Sequence, residues 1–317
     1  MEISKKNNWL LYFFSILLVA GFFSLFIIIF NSSSVSVSTI LDVDNVSPSI
    51  NTVFINTSPY IFSDNTGGIM GTLNTNSGAD FTYFVNGVVS DLNGRDDIDH
   101  VELSFYRNDL SFGCVSDKNN CYRVSSCSLR NNGNLGEKEY SCQIDLSYYA
   151  DSTSIGGAYP SNHFVVGVKV VDADAIEVIN ATLTKNIATN LSLNIANALP
   201  YGSRLLNSES TAGNNYEMPI EQYGNDEAGL KVKGNALSCS GGGTILLEDQ
   251  KWSLTDVGWT NPLAISLTGG DVDTNFSITY RDNDSTSLVN KLYWNVRVGN
   301  FVKGSCSGVS TLTVIPI

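Results

Sequence analysis

The chain has 317 residues, with 18 Lys and Arg against 31 Asp and Glu, for a net charge of −13. Such an acidic chain repels nucleic acid and anionic lipid, which excludes nucleic acid as a partner. Charged residues make up only 15% of the chain, and Asn, Ser, Thr and Gly supply most of its polar surface.

The first element is the run Leu10 to Phe30, 21 residues without a charge. As a helix it is about 30 Å long, enough to cross a bilayer core. Lys5 and Lys6 precede it, and the next basic residue is Arg95. That asymmetry predicts a cytoplasmic N-terminus (residues 1–9), a single-pass anchor contacting the membrane through residues 10–30, and export of everything beyond. A cleaved signal peptide is the other reading, but its apolar core is usually about 7–15 residues. Either way the bulk of the chain is extracellular, and the Ser- and Val-rich residues 31–50 read as a stalk.

Beyond the stalk the dominant signal is alternation with a period of two, the mark of half-buried strands. In "VELSFYR" Val101, Leu103 and Phe105 share a face. In "YSCQIDLSYY" Cys142, Ile144, Leu146 and Tyr148 point one way. "HFVVGVKVV" is apolar on both faces apart from Lys169 and Gly167, so it reads as a central strand. Leu191, Leu193 and Ile195 begin a second set, continued by Leu230 and Val232, by Leu263, Ile265 and Leu267, by Phe276 and Ile278, by Leu292, Trp294 and Val296, and by Leu312 and Val314. Clusters of Gly, Asn and Asp separate the runs. Many short strands with this punctuation predict an all-β protein of β-sandwiches. The boundary between two of them falls near residues 186–190, giving domains over 51–187 and 188–317.

The segments "VNGVVSDLNGRDDIDHVELSFYR", "CVSDKNNCY", "YSCQIDLSYYADST" and "VGVKVVDADA" resemble a first immunoglobulin-like domain. It is similar to the one in uncharacterised two-domain surface proteins predicted from uncultured small-genome bacteria. "LPYGSRLLNSES", "QYGNDEAGLKVKGNAL" and "LYWNVRVGNFVKGSCSGVSTLTV" resemble the second sandwich of those proteins. Two turns depart from the family pattern, "QYGND" for Asn-Thr-Gly-Asn and "GSCSG" for Gly-Thr-Tyr-Ser-Gly. The resemblance implies two tandem immunoglobulin-like β-sandwiches behind a single N-terminal transmembrane helix, and it implies no activity.

The six cysteines are Cys114, Cys121, Cys127, Cys142, Cys239 and Cys306, all beyond the anchor. Export favours structural disulfides, and the spacing does not suit zinc, which wants close cysteine pairs with histidine. Fifteen pairings are open to six cysteines. The pairing chosen is Cys114–Cys121 closing an acidic loop, Cys127–Cys142 tying that loop to a strand, and Cys239–Cys306 joining two Gly/Ser turns. "GSCSG" also fits a nucleophile-elbow pattern, but no helix follows it.

Two further constellations stand out. "DLNGRDDID" offers Asp91, Asn93, Asp96 and Asp97 around Gly94, and "VVDADA" offers Asp172 and Asp174. Either these side chains cap their own turns, or both loops meet at one end of the first domain and hold a calcium ion. Trp252, Trp259 and Trp294 are candidates for a sugar-stacking platform. Trp294 alternates with Leu292 and Val296 as a core residue, which leaves Trp259, beside Gly258, as the exposed aromatic for ligand binding. The reading that follows is a non-enzymatic surface protein for adhesion or envelope assembly, with other surface proteins or wall polymer as partners. The alternative is a carbohydrate-binding module or wall-acting enzyme.

Overall fold

The computed structural model of the protein describes residues 12–20, 41, 43–64, 71–282 and 289–317. The chain divides into two compact units, residues 1–44 and 45–317. In the first unit residues 12–20 are helical, and Tyr12, Phe13, Phe14, Ile16, Leu17, Leu18 and Val19 are each exposed by more than half. No helix among the described residues is long and apolar enough to cross a membrane. The rest of the run predicted as an anchor lies outside the described residues.

The second unit is built from strands in several sheets. Its first half holds β1 (Ser49–Asn56), β2 (Thr72–Leu73), β3 (Phe81–Ser90), β4 (Ile98–Arg107), β5 (Cys121–Val124), β6 (Ser128–Asn131), β7 (Glu137–Leu146), β8 (Phe164–Asp172) and β9 (Glu177–Ile187). They form one sheet ordered β1-β3-β7-β6 and another ordered β2-β9-β8-β4-β5. Side chains from both sheets close into one core, including Val85, Val89, Leu103, Phe105, Ile144, Phe164 and Val168. The alternation explains why. Val101, Leu103 and Phe105 on β4 are at most 1% exposed, and Cys142, Ile144 and Leu146 on β7 at most 3%. β8 lies between β4 and β9 as a central strand, and its residues are buried except Val165 and Lys169, which are half-buried.

The second half holds β10 (Leu193–Ile195), β11 (Ser208–Glu209), β12 (Tyr216–Gln222), β13 (Ala228–Gly234), β14 (Leu237–Cys239), β15 (Thr244–Ile245), β16 (Gln250–Ser253), β17 (Ile265–Ser266), β18 (Val272–Ile278), β19 (Val289–Val298), β20 (Cys306–Ser307) and β21 (Ser310–Pro316). One sheet runs β10-β12-β19-β16-β17 with β11 also on β19; two smaller ones run β18-β13-β21 and β15-β14-β20. Trp252 on β16 pairs directly with Trp294 on β19, and both are buried in a core with Met218, Ile220, Leu230, Val232 and Leu292. Met218 and Ile220 escaped the sequence pattern because Pro219 interrupts it. The expected inward set at β17 is corrected. Leu263 and Ile265 are exposed, and Leu267 is buried beside Ala264. A two-residue edge strand is too short to hold one alternating face inward.

The three disulfides join Cys114 to Cys121, Cys127 to Cys142 and Cys239 to Cys306, the same pairs chosen from sequence. The last one links residues that sit opposite each other on β14 and β20.

The two halves meet at the turn between β12 and β13. Asn225 is fully buried there. Its Nδ2 donates to the carbonyls of Ala150 (2.8 Å) and Ala188 (2.9 Å), and its Oδ1 accepts the Asn190 N–H (2.7 Å). One side chain thus ties the loop after β7, the end of β9 and the start of the second half. Gly224 allows this approach, since a Cβ there would lie 2.0 Å from the Asn190 carbonyl oxygen. Ser152 Oγ adds a bond to Asp226 Oδ2 at 3.2 Å.

Candidate cation site

The loop from β3 to β4 begins at Asp91, whose backbone N–H is held by the Gly136 carbonyl (2.9 Å). Asp91 Oδ1 accepts the Asn93 N–H at 2.7 Å, closing an Asx turn. Gly94 follows at φ 120°, a backbone position open to glycine alone. A short 3-10 turn, Arg95–Asp97, then delivers the chain to β4.

The turn from β8 to β9 is organised in the same way. Asp172 Oδ1 accepts the N–H groups of Asp174 (3.1 Å) and Ile176 (2.7 Å). The two loops are joined by the Ala173 N–H donating to the Asp97 carbonyl (2.8 Å). β3 and β8 belong to different sheets, so the meeting arises not from their pairing but from β4, which leaves the first loop and pairs Ile98 with Asp172.

The outcome is three carboxylates whose oxygens lie within 4.8 Å of one another, those of Asp91, Asp97 and Asp172. Asp91 is 4% exposed and Asp172 is 2% exposed. Asp91 Oδ2 is buried and has no hydrogen-bond partner. Burial raises the Asp97 carboxyl above the usual carboxylate range, and the neighbouring charges of Asp91, Asp172 and Asp174 push it further. The ion pairs among the described residues do not include any of the three. Lys138 Nζ, on β7, instead donates to the Ile98 carbonyl at 2.9 Å.

Of the six residues picked out by sequence, these three converge. Asn93 borders them, with Oδ1 accepting the Val46 N–H at 2.7 Å. Asp96 is 95% exposed and pairs with Arg95, and Asp174 is exposed. Sequence reasoning missed Asn45, whose Nδ2 donates to Asp172 Oδ2 at 2.9 Å. No local pattern marks it, because it lies 127 positions away in the stretch read as stalk. An all-oxygen, anionic donor set of this kind suits a hard cation and offers nothing to a soft one.

The other candidate positions, and the histidine on β4, resolve differently. Trp259, expected to be exposed, is 5% exposed. Lys251 Nζ lies 4.4 Å from its ring centroid and the Arg297 guanidinium 5.2 Å, so two cations already cover the ring that a sugar would stack on. His100 bonds Asp99 (2.6 Å) and Glu102 (3.2 Å), and Glu102 also pairs with Lys169 (2.9 Å), an ion-pair lattice across β4 and β8. Cys306 of "GSCSG" is bonded to Cys239 and has no thiolate to offer.

No protein-family model and no curated protein matches the sequence. Among solved structures, a chaperone–tip adhesin complex of CFA/I fimbriae is similar at 10% identity and a TM-score of 0.27, over 76% of this chain and 77% of that one. The CsuC–CsuE chaperone–tip adhesion subunit pre-assembly complex of Csu pili from Acinetobacter baumannii is similar at 11% identity and a TM-score of 0.32, over 77% and 97%. Both likenesses are remote. Scores that low leave the connectivity and activity of this chain to its own residues.

Proposed function

We propose that the protein is a non-enzymatic, membrane-anchored surface protein that acts in adhesion or envelope assembly. In this reading residues 10–30 span the membrane with the N-terminus inside. Two tandem immunoglobulin-like sandwiches, 51–187 and 188–317, stand outside and meet other surface proteins or wall polymer. The carrying observation is that all six cysteines are closed in three disulfides, which persist in oxidising, extracytoplasmic space. The seven exposed apolar side chains on helical residues 12–20 are what an anchor needs and what a water-exposed helix avoids.

The carbohydrate-binding alternative loses its platform, because Trp252, Trp259 and Trp294 are all buried. Two residues that could serve catalysis, His100 and Cys306, are committed to ion pairs and to a disulfide.

Intact cells producing the full chain test this. Added trypsin should release large fragments beginning after Arg95, since no Lys or Arg lies between Asn31 and that residue. The same treatment should abolish binding to neighbouring cells or to wall polymer. Recovery of the whole protein in the cytosolic fraction, or release of reducing ends from wall glycan by the purified chain, would overturn the reading.

A further inference from the structure

We propose that Asp91, Asp97 and Asp172 bind one calcium ion, and that the bound ion fastens the incoming segment at Asn45 and Val46 to the end of the first pair of sheets. The buried Asp91 Oδ2 is an acceptor without a hydrogen-bond donor. A buried polar oxygen in that state is costly, and a bound cation removes the cost. One carboxylate oxygen from each of Asp91, Asp97 and Asp172 lies within 4.8 Å of the other two. Calcium–oxygen distances of about 2.3–2.6 Å place any two ligands of one ion no more than about 5 Å apart, so all three oxygens fit a single coordination sphere.

The donors come from two loops held together by backbone bonding and not from one loop capping itself. Asp91 Oδ1 and Asp172 Oδ1 do cap their own turns, with Asn93 and with Asp174 and Ile176. That duty leaves Asp91 Oδ2 over, so turn formation does not account for the whole cluster. Half-buried Asp97 keeps one side of the site open, where water completes the six to eight oxygens that calcium takes. Magnesium sheds its water reluctantly, and a dry oxygen such as Asp91 Oδ2 demands direct ligation.

The mechanical consequence follows from two bonds. Asn45 Nδ2 donates to Asp172, a ligand of the proposed ion, and the Val46 N–H donates to Asn93, whose own N–H holds Asp91 in place. Without the ion, repulsion among three carboxylates loosens both loops and with them the attachment of residues 45–46. With it, the segment leading to the N-terminal unit is fixed where it joins β1.

The test uses the purified full chain, stripped with a chelator and titrated with calcium chloride, with magnesium chloride in a parallel arm. For an affinity in the range of extracellular calcium modules, on the order of 10⁻⁴–10⁻³ M, the melting temperature should rise by about 4 °C at twentyfold saturation. Asp91→Asn and Asp97→Asn should each abolish the rise, and Asp96→Asn, on the exposed residue beside the site, should keep it. Should Asp91→Asn fail to fold, Asp97→Asn on the half-exposed ligand decides. Elastase cleavage at Val46 should slow at least severalfold with calcium in the parent and remain fast in Asp97→Asn. A melting temperature unchanged up to about 10 mM calcium, a rise that survives both ligand substitutions, or an equal rise with magnesium would overturn the site. Cleavage at Val46 indifferent to calcium would overturn the fastening.

Discussion

Replacing Asn225 by alanine should loosen the joint between the two halves of the 45–317 unit, and the size of the loss can be worked from its bonds. The Nδ2 donation to the Ala150 carbonyl is buried, so its removal strands an acceptor at a cost of about 1–3 kcal/mol. The bonds to Ala188 and from Asn190 are part-buried, where water recovers some of the loss, leaving about 0.5–1.5 kcal/mol each. The total is about 4 kcal/mol, large beside the typical ±0.5 kcal/mol of an exposed substitution such as Asn131→Ala. Urea unfolding of the full chain, followed by tryptophan fluorescence, reads it as a lower midpoint, and a lower slope as well if the halves come to unfold separately. Asn225→Asp separates hydrogen bonding from volume. It keeps the shape but turns a carboxylate oxygen toward two carbonyls, so it should cost at least as much as alanine. A near-neutral aspartate, or an alanine loss below about 1 kcal/mol, would refute the view that these three bonds hold the joint.

Other outcomes follow from the same geometry. Lys185, with its side chain wholly buried, pairs with Asp64 at 2.5 Å, so Asp64→Asn should cost about 3 kcal/mol and the double change with Lys185→Met should recover most of it, both read by urea unfolding. Removing Cys239 and Cys306 together opens a loop with a sequence separation of 67 and should cost about 2–5 kcal/mol, checked by calorimetry, and the parent should show no thiol that labels before reduction. His100 is held above its ordinary pKa by its hydrogen bond to Asp99, with burial working against this and Glu102 adding to it. Its stabilising contribution is therefore complete below about pH 6.5 and is lost as pH rises through the folded value. An NMR titration should show the raised value, and Asp99→Asn should bring it back toward 6.5.

Features that depend on near neighbours along the chain were readable before folding. Val101, Leu103 and Phe105 share a face because successive side chains in a strand alternate, and that holds whatever sheet the strand joins. The apolar run of β8, broken only by Gly167 and Lys169, announced a central strand, and the Gly/Ser turns around Cys239 and Cys306 marked the pair that bonds. The acidic loops were legible too, as turn chemistry. Which of their residues meet depends on how the sheets pack. Asp91, Asp97 and Asp172 converge because β4 carries one loop to the register position opposite Asp172, whereas Asp96, one residue from Asp97, is left in solvent. Trp259 reads as exposed beside its glycine and is buried under Lys251 and Arg297, which come from β16 and β19. Asn45 carries no local signature, and "QYGND" marks Asn225 only as a turn residue, since their partners lie from 35 to 127 positions away. Periodicity encodes which way a side chain points from its own strand. What it points at is fixed by long-range pairing of sheets, and the site belongs to that second kind of information.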